Sequence, residues 1–340
     1  MESGVSENKP TGAHAGLEQL LYEVKKVVVG QDRFLERVLI ALLAGGHLLV
    51  EGVPGLAKTL TVATLAKAMQ GSFRRIQFTP DLVPADLVGT RIYSQKTGEF
   101  ATSLGPVFAN LVLADEINRA PAKVQSALLE VMQERQVTIA GQSHAVPSPF
   151  VVMATQNPIE TEGTYALPEA QVDRFMMKVL VDYPNEDEEF VIVQRVTGAP
   201  VSVSAVTSAE ELLEMQKQSR KTYVDPALVT YAVKLVAATR HPTKAGLDDQ
   251  ARFILYGASP RATIGLIEAG RALAFLRGRD YVLPEDVTDI APDVLRHRIV
   301  PSYEALAEGV SADSIITQLM RRISPPDKPL ESHVRFAANA

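Results

Sequence analysis

Gly-Val-Pro-Gly-Leu-Ala-Lys-Thr, at residues 52–59, is the stretch that decides the fold. It follows the apolar segment 47–50 and precedes a helical pattern, which is the setting of a phosphate-binding loop. Its glycines let backbone N–H groups point at phosphate oxygens, and the next helix adds the positive end of its dipole. Lys58 is placed to reach the phosphates, and the Thr59 hydroxyl is placed to hold Mg²⁺. Ala57 stands where such loops usually have a glycine before the lysine, and alanine costs little conformational energy there as long as its φ is negative.

The composition is that of a globular protein, and the length of the chain predicts two domains. The chain has 340 residues, of which 46% are hydrophobic and 22% are charged. It contains no cysteine, which excludes disulfides, thiolate metal sites and cysteine nucleophiles. The histidines lack metal-ligand spacing, and the net charge of −6 argues against a nucleic-acid partner. The sequence shows no secretory signal and no membrane-spanning stretch, so we expect a cytoplasmic protein without membrane insertion.

Short apolar runs alternate with helical patterns in the first half of the chain. Strands are expected at 47–51, 74–78, 111–114, 150–155 and 177–181, with helices such as 59–70 and 123–134 between them. This alternation predicts an α/β domain with a parallel sheet. Two stretches, 86–110 and 136–149, interrupt the alternation with short β-like pieces, the second of them a hairpin around Gly141. We interpret both as insertions into the sheet domain.

Beyond residues 182–185 nearly every pattern is helical. Ser208 opens a capping box, and Ser259 with Pro260 places a capping serine and a first-turn proline before a later helix. The predicted organisation is a disordered tail at 1–16, an α/β core at 17–184, an all-helical domain at 185–323 and a loose tail at 324–340.

Two adjacent carboxylates follow the apolar strand at 111–114. Asp115 and Glu116 point differently, so the first can hold Mg²⁺ through water while the second polarises an attacking water. The phosphate loop upstream favours this hypothesis over an ordinary solvated acidic turn. Asn157 follows the strand at 150–155 and can contact the γ-phosphate or orient the water, although an Asn-Pro pair is also a common turn signal.

The order of these motifs resembles the AAA+ ATPases, and within them the MoxR family. The resemblance covers about residues 20–322. It implies the α/β fold of that class, with a helix-2 insert and a pre-sensor hairpin, followed by a helical lid. The motifs that carry it are Val29-Gly30-Gln31, the loop at 52–59 with its alanine included, the acidic motif 114–120, Ala154-Thr155-Gln156-Asn157-Pro158, the segment 167–175 and Gly257-Ala258-Ser259-Pro260-Arg261.

The resemblance also implies the site residues. The nucleotide-binding residues would be Gly30, Gln31, Gly52, Val53, Pro54, Gly55, Leu56, Ala57, Lys58, Thr59 and Leu60. The catalytic residues would be Glu116, Asn157, Arg174 and Arg261, and the Mg²⁺ ligands would be Thr59 and Asp115.

The three arginines have competing interpretations. Arg174 is expected to act in trans as an arginine finger, rather than to form a surface ion pair with Asp173 or Glu169. Arg261 lies in a first helical turn, where a cation is unfavourable, which suggests a tertiary ligand such as a nucleotide phosphate. Arg119 either contacts a neighbouring subunit or caps a helix.

The resemblance implies a Mg²⁺-dependent ATPase that forms a homo-oligomeric ring, by resemblance a hexamer. ATP would bind between the core and the lid, and its hydrolysis would move the insertions against a client. The implied role is chaperone-like maturation or assembly of partner proteins, often with partners that carry von Willebrand factor A domains.

Three alternatives stay open from the sequence. The first is a chelatase- or activase-type motor, whose motifs are nearly the same. The second is a nucleic-acid motor, which the acidic balance, the lack of tryptophan and the lack of a DNA-binding module disfavour. The third is a scaffold that binds ATP without hydrolysing it, which the intact Asp115, Glu116, Asn157 and Arg174 disfavour.

Overall fold

A computed structural model of the chain describes residues 12–53, 55–96, 98–159, 163–199 and 201–327. The strands are β1 (Leu48–Glu51), β2 (Phe73–Gln77), β3 (Gly89–Ser94), β4 (Glu99–Leu104), β5 (Leu111–Asp115), β6 (Gln136–Ile139), β7 (Gln142–Ala145), β8 (Val151–Gln156), β9 (Met177–Leu180), β10 (Ile254–Tyr256) and β11 (Val300–Pro301). The α-helices are α1 (Gly12–Lys25), α2 (Asp32–Ala44), α3 (Lys58–Ala68), α4 (Pro84–Val88), α5 (Ala122–Glu134), α6 (Glu169–Val172), α7 (Glu186–Thr197), α8 (Ala209–Lys221), α9 (Pro226–Arg240), α10 (Asp248–Ala251), α11 (Pro260–Leu276), α12 (Pro284–Leu295), α13 (Tyr303–Glu308) and α14 (Ala312–Arg322). Short 3₁₀-helices cover Ile117–Arg119 and Pro242–Ala245.

A five-stranded parallel sheet in the order β2-β5-β8-β1-β9 forms the centre of the first half. The apolar strands β5 and β8 are buried on both faces, as strands of a covered parallel sheet are. The predicted α/β fold with a parallel sheet is confirmed, and each predicted strand agrees with the structure to within one residue at either end. The carboxyl ends of β1, β5 and β8 meet at one edge of this sheet, where ligands bind in such folds.

Both predicted insertions are present. The first consists of α4 and the antiparallel hairpin β3–β4, and the second is the antiparallel hairpin β6–β7. In the first hairpin Tyr93 pairs with Phe100 across the strands, and their ring centroids lie 5.1 Å apart. Both rings are exposed, as is Ile92 beside them.

The second half is helical, as predicted, with one exception. Ser208 and Ser259 cap α8 and α11 with their side chains, and Asn185 caps α7. The exception is the short antiparallel pair β10–β11, which helical periodicity did not indicate. Within the described residues, the helices are too short or too polar to cross a membrane.

The ends of the chain differ in part from the prediction. Helix α1 begins at Gly12, so residues 12–16 are helical rather than part of the predicted disordered tail. Pro54 and the terminal residues 1–11 and 328–340 lie outside the described residues. The predicted boundary at 184–185 falls immediately before α7.

A buried arginine joins the two halves of the molecule. The Arg37 side chain on α2 is 0% exposed, and its Nε donates to Asp293 Oδ2 at 2.7 Å. Its Nη2 donates to Asp289 Oδ1 at 3.0 Å, and both aspartates lie on α12 of the helical half. The charge is therefore removed from water but satisfied by carboxylates across the junction, which makes removal of the arginine costly.

We expect Arg37→Leu to lower the free energy of unfolding by about 3–5 kcal/mol, because the buried Asp293 carboxylate loses its 2.7 Å partner on α2 and keeps only part of its compensating charge. Arg33→Leu is the matched control. Arg33 pairs with the same Asp293 at 3.5 Å, but its side chain is 60% exposed, so its loss should cost no more than about 1 kcal/mol. Denaturant titration of the three proteins measures both values, and equal losses for the two variants would contradict this account.

His47 is a buried histidine at the start of β1. Its Nδ1 accepts the Val152 N–H at 3.0 Å, and its Nε2 therefore carries the proton donated to the Met132 carbonyl at 3.1 Å. Burial lowers the pKa of His47 to about 4, with a smaller contribution from the charge of Arg135. His297 is partly buried, and desolvation likewise lowers its pKa well below the ordinary value.

Because the folded pKa of His47 lies below its unfolded value near 6.5, its contribution to stability is complete above pH 6.5 and is lost as pH falls toward 4. The loss is on the order of 3 kcal/mol. His47→Gln removes this titration and leaves that of His297 in place. The gap in unfolding free energy between wild type and variant should therefore narrow from pH 7 to pH 4. Parallel curves over that range would refute the assignment.

Candidate nucleotide-binding site

A cavity of about 360 Å³ opens at the carboxyl edge of the central sheet. The residues that line it are Gly52, Gly55, Leu56, Ala57, Lys58, Thr59, Leu60, Arg75, Asp115, Glu116, Thr155 and Asn157. The structure thus brings together most of the predicted loop, the acidic pair and Asn157. Val53 packs against the hydrophobic core instead. Arg75 and Thr155 were not predicted as site residues.

The loop between β1 and α3 is held tightly against the sheet. A Cβ added to Gly52 would lie 2.7 Å from the Val181 carbonyl oxygen, so this position has room only for glycine. Lys58 Nζ donates to the Gly52 carbonyl at 2.7 Å, within the loop itself. Burial lowers the pKa of Lys58, and the charges of Asp115 and Glu116 oppose that shift.

Ala57 corrects one expectation from the sequence. Its φ is 55°, in the left-handed region, rather than negative as a low cost required. An L-residue pays roughly 1–2 kcal/mol for this conformation, and such strain is concentrated at functional sites. The strain lies immediately before Lys58, at the start of α3.

The two adjacent carboxylates have separate sets of partners. Asp115 Oδ1 accepts the Thr155 hydroxyl at 2.6 Å, and Asp115 Oδ2 accepts Arg75 at 2.7 and 3.0 Å. The backbone of Glu116 is in the left-handed region, with a φ of 56°, so the chain leaves the direction of strand β5 at this residue. Its Oε2 accepts Gln77 at 2.7 Å and Arg119 at 3.1 Å. Arg119 thus has an ion pair within its own chain that neither interpretation from the sequence included.

Asn157 lies beside the acidic pair and is buried. Its Oδ1 accepts the Ile159 N–H at 3.1 Å, so the side chain also forms the turn that an Asn-Pro sequence commonly makes. The two interpretations of this residue are therefore compatible, since the same side chain forms the turn and faces the cavity.

A second, mostly apolar cavity of about 100 Å³ adjoins the first. The two share Gly55, Leu56, Ala57 and Leu60, and the remaining lining residues are Val27, Val28, Val29, Gln31, Pro184, Ile192, Arg195 and Val196. Ile192 and Val196 were missed in the sequence, although their spacing of four on α7 gave a helical signal.

The segment before α2 borders this second cavity in an unusual backbone conformation. Gly30 and Gln31 both have a positive φ, and a Cβ on Gly30 would lie 2.5 Å from the Glu188 carboxyl group. Gln31 Nε2 donates to the Asp182 carbonyl at 2.8 Å, which ties this segment to the chain just before the helical half.

Two of the four predicted catalytic residues, Arg174 and Arg261, lie outside both cavity linings, as do Gly30 and Val53 of the predicted nucleotide-binding residues. Arg174 Nη1 donates to the Leu129 carbonyl on α5 at 3.0 Å, rather than pairing with Asp173 or Glu169, and its Nε is buried with no partner among the described residues. Arg261 has a tertiary partner in the Asp173 carboxylate, at 3.6 Å, and its contact with a nucleotide phosphate stays a prediction.

Asp173 is the point at which the helical half contacts the segment that carries Arg174. It accepts Arg298 Nε at 2.7 Å and the Ser259 hydroxyl at 2.8 Å, in addition to the Arg261 contact. Arg298 is buried and also donates to the Phe175 carbonyl at 2.6 Å. The position of Arg174 is thereby linked to that of the helical half.

The residues present fit a magnesium nucleotide. The Thr59 hydroxyl and the Asp115 carboxylate are oxygen ligands of the kind Mg²⁺ prefers, and Mg²⁺ takes its other ligands from phosphates and water. The loop and the start of α3 suit a polyphosphate, while the adjoining apolar cavity suits a flat base.

Comparison with known proteins supports the same assignment. A family model described as "ATPase family associated with various cellular activities (AAA)" matches residues 47–177, and one described as "AAA lid domain" matches residues 247–319. A crystal structure of a protein from Cytophaga hutchinsonii, described as a candidate ATPase, aligns with a TM-score of 0.88 and 50% identity. That alignment covers 93% of this chain and 96% of the other.

Two curated relatives extend over most of the chain. Chaperone MoxR1 of Mycobacterium tuberculosis is 54% identical over 310 residues, which is 91% of this chain and 82% of the relative. Protein MoxR of Methylorubrum extorquens is 32% identical over 314 residues, which is 86% of this chain and 90% of the relative. Together with the fold and the motifs gathered at one edge of the sheet, these matches show that the chain belongs to the MoxR family of AAA+ ATPases.

Proposed function

We propose that the protein is a Mg²⁺-dependent ATPase that works as a homo-oligomeric ring, by resemblance a hexamer, in the cytoplasm. Its ATP turnover would serve chaperone-like maturation or assembly of partner proteins. The observation that carries the proposal is the single cavity that contains the phosphate loop, the acidic pair and Asn157, next to an apolar cavity of the kind a base needs.

The side chains divide the work between binding and hydrolysis. Lys58, which donates to the Gly52 carbonyl, would turn its ammonium to the β- and γ-phosphates. Thr59 and Asp115 would hold Mg²⁺, which when bound neutralises negative charge on the phosphate oxygens. Glu116, oriented by Gln77 and Arg119, would accept a hydrogen bond from the attacking water, and Asn157 would orient that water.

A ring is supported by the absence of the two predicted catalytic arginines from the cavity lining of a single chain. Arg174 and Arg261 lie outside the lining, so neither of these two arginines reaches the phosphate site of its own subunit. Within the described part of the chain, Arg174 donates to the Leu129 carbonyl and its buried Nε has no partner, so few contacts are lost when the side chain moves to a neighbour's nucleotide. The contacts of Asp173 with Ser259, Arg261 and Arg298 would pass motion of the lid to this finger.

The client contact is proposed for the first insertion. The hairpin β3–β4 exposes Ile92, Tyr93 and Phe100, apolar side chains of the kind enriched in protein interfaces. One relative is named a chaperone, which favours a protein client. A partner with a von Willebrand factor A domain stays a prediction from the family resemblance.

We expect Glu116→Gln to bind ATP and keep the oligomer, but to lose at least ~10²-fold in the rate of hydrolysis, because the amide cannot accept the proton of water. Nucleotide binding and phosphate release are measured on the same preparation. Glu51→Gln is the control, since Glu51 ends strand β1 of the same sheet, pairs with Lys178 at 2.6 Å and lies outside both cavities. Normal turnover by Glu116→Gln would refute the assignment.

If Arg174 acts in trans, the wild-type rate per subunit rises with protein concentration, while Arg174→Ala stays low, with a loss of ~10³–10⁵. Mixing provides the sharper test. A subunit with Arg174→Ala retains Glu116, and one with Glu116→Gln retains Arg174, so mixed rings contain some complete sites. Mixing the two inactive proteins should restore part of the activity. No restoration, with oligomers shown to exchange subunits, would exclude a shared site.

A further inference from the structure

One guanidinium group contacts Asp115 directly and also contacts Gln77, a hydrogen-bond partner of Glu116. Arg75 lies on β2 and donates through Nη2 and Nε to Asp115 Oδ2, at 2.7 and 3.0 Å. The same Nη2 donates to Gln77 Oε1 at 2.9 Å, and Gln77 Nε2 donates to Glu116 Oε2 at 2.7 Å. The arginine therefore holds Asp115 directly and Glu116 through one amide.

Both oxygens of Asp115 are engaged in this arrangement. Thr155 donates to Oδ1, and Arg75 contributes two donors to Oδ2. A divalent cation held by this carboxylate would meet the positive charge of the guanidinium within a few ångströms of the same oxygen. Like charges at that distance disfavour each other, so the cation and Arg75 compete for Asp115.

The position of Arg75 in the sheet allows it to leave. Strand β2 is the edge strand and has β5 as its one neighbour in the sheet. The Arg75 side chain is 50% exposed, whereas that of Asp115 is 15% exposed. The carboxylate is thus fixed by its surroundings, and the arginine is the member of the pair that is free to swing into water or toward the cavity it lines.

We propose that Arg75 is a positioning residue that occupies Asp115 in the nucleotide-free protein and must be displaced before Mg²⁺ binds with the nucleotide. The proposal rests on the proposed function, since it requires a magnesium nucleotide in this cavity. Displacement also releases the Gln77 oxygen, so that amide no longer has a fixed orientation toward Glu116. Metal loading and the orientation of the catalytic glutamate are thereby linked through one side chain.

The test measures binding rather than turnover. A fluorescent methylanthraniloyl-ADP is titrated onto the protein in EDTA, and Mg²⁺ is then titrated at a fixed nucleotide concentration. For Arg75→Met we expect the half-saturating Mg²⁺ concentration to fall about fivefold, the scale of one partly exposed charge pair, with the affinity in EDTA unchanged. Arg75→Lys, which keeps a cation near Asp115, should return the Mg²⁺ requirement toward the wild-type value.

Arg74→Met is the matched control. It removes the same charge from the adjacent position of β2, whose side chain is exposed and does not line the cavity. It should leave the nucleotide affinity in EDTA and the half-saturating Mg²⁺ concentration at their wild-type values. Thermal unfolding of each variant checks that it is folded.

An unchanged Mg²⁺ requirement in Arg75→Met overturns the proposal. A weaker affinity in EDTA also overturns it, because Arg75 would then be a phosphate ligand. If Arg74→Met lowers the half-saturating Mg²⁺ concentration as much as Arg75→Met does, the effect comes from net charge. That result also overturns the proposal. Failure of the wild-type protein to bind nucleotide at all is a different result, since it refutes the proposed function itself.

Discussion

The parallel pairing of β1, β5 and β8 is the constraint on which the rest of the structure depends. In this register Leu48 pairs with Met153, and Leu113 pairs with the same residue from the other side. The three strands therefore end together, and the residues that follow each one meet at a single edge. A phosphate loop, an acidic pair and an asparagine that are far apart in sequence become one wall because apolar strands are stacked in this order.

Charged side chains perform a second task, since they join the helical half to this sheet. Arg37 connects α2 to α12, and Arg298 connects the end of α12 to Asp173. Both arginines are buried and use several donors each, so their energy depends on a specific arrangement of the two halves. The two halves also share one hydrophobic cluster, but its non-directional contacts specify their relative position less sharply.

Much of the architecture could be predicted because it is encoded locally. Alternating apolar runs located the five strands of the central sheet, and Ser208 and Ser259 located helix starts, since caps and periodicity involve residues close in sequence. The partners of the charged groups could not be predicted. The contact of Arg75 with Asp115 spans two strands, and the Asp173 ligand of Arg261 comes from the other half of the chain.

The conformation of Ala57 shows a different limit. The sequence alone favours a negative φ for alanine, whereas in the structure Ala57 has a φ of 55° at the residue that immediately precedes α3. Tertiary contacts outweigh the backbone preference of a single residue where they fix the path of the chain. Such residues with unfavourable φ and ψ angles are found most often at functional sites.

The wall of the apolar cavity is fastened to the first helix of the chain. Arg195, one residue from Val196 on α7, donates to the carbonyls of Lys25 and Lys26, each at 2.7 Å. These carbonyls belong to the end of α1 and the residue after it. The apolar cavity consequently depends on a longer unit than the ATPase family match at 47–177, because a fragment with those limits lacks both α1 and α7.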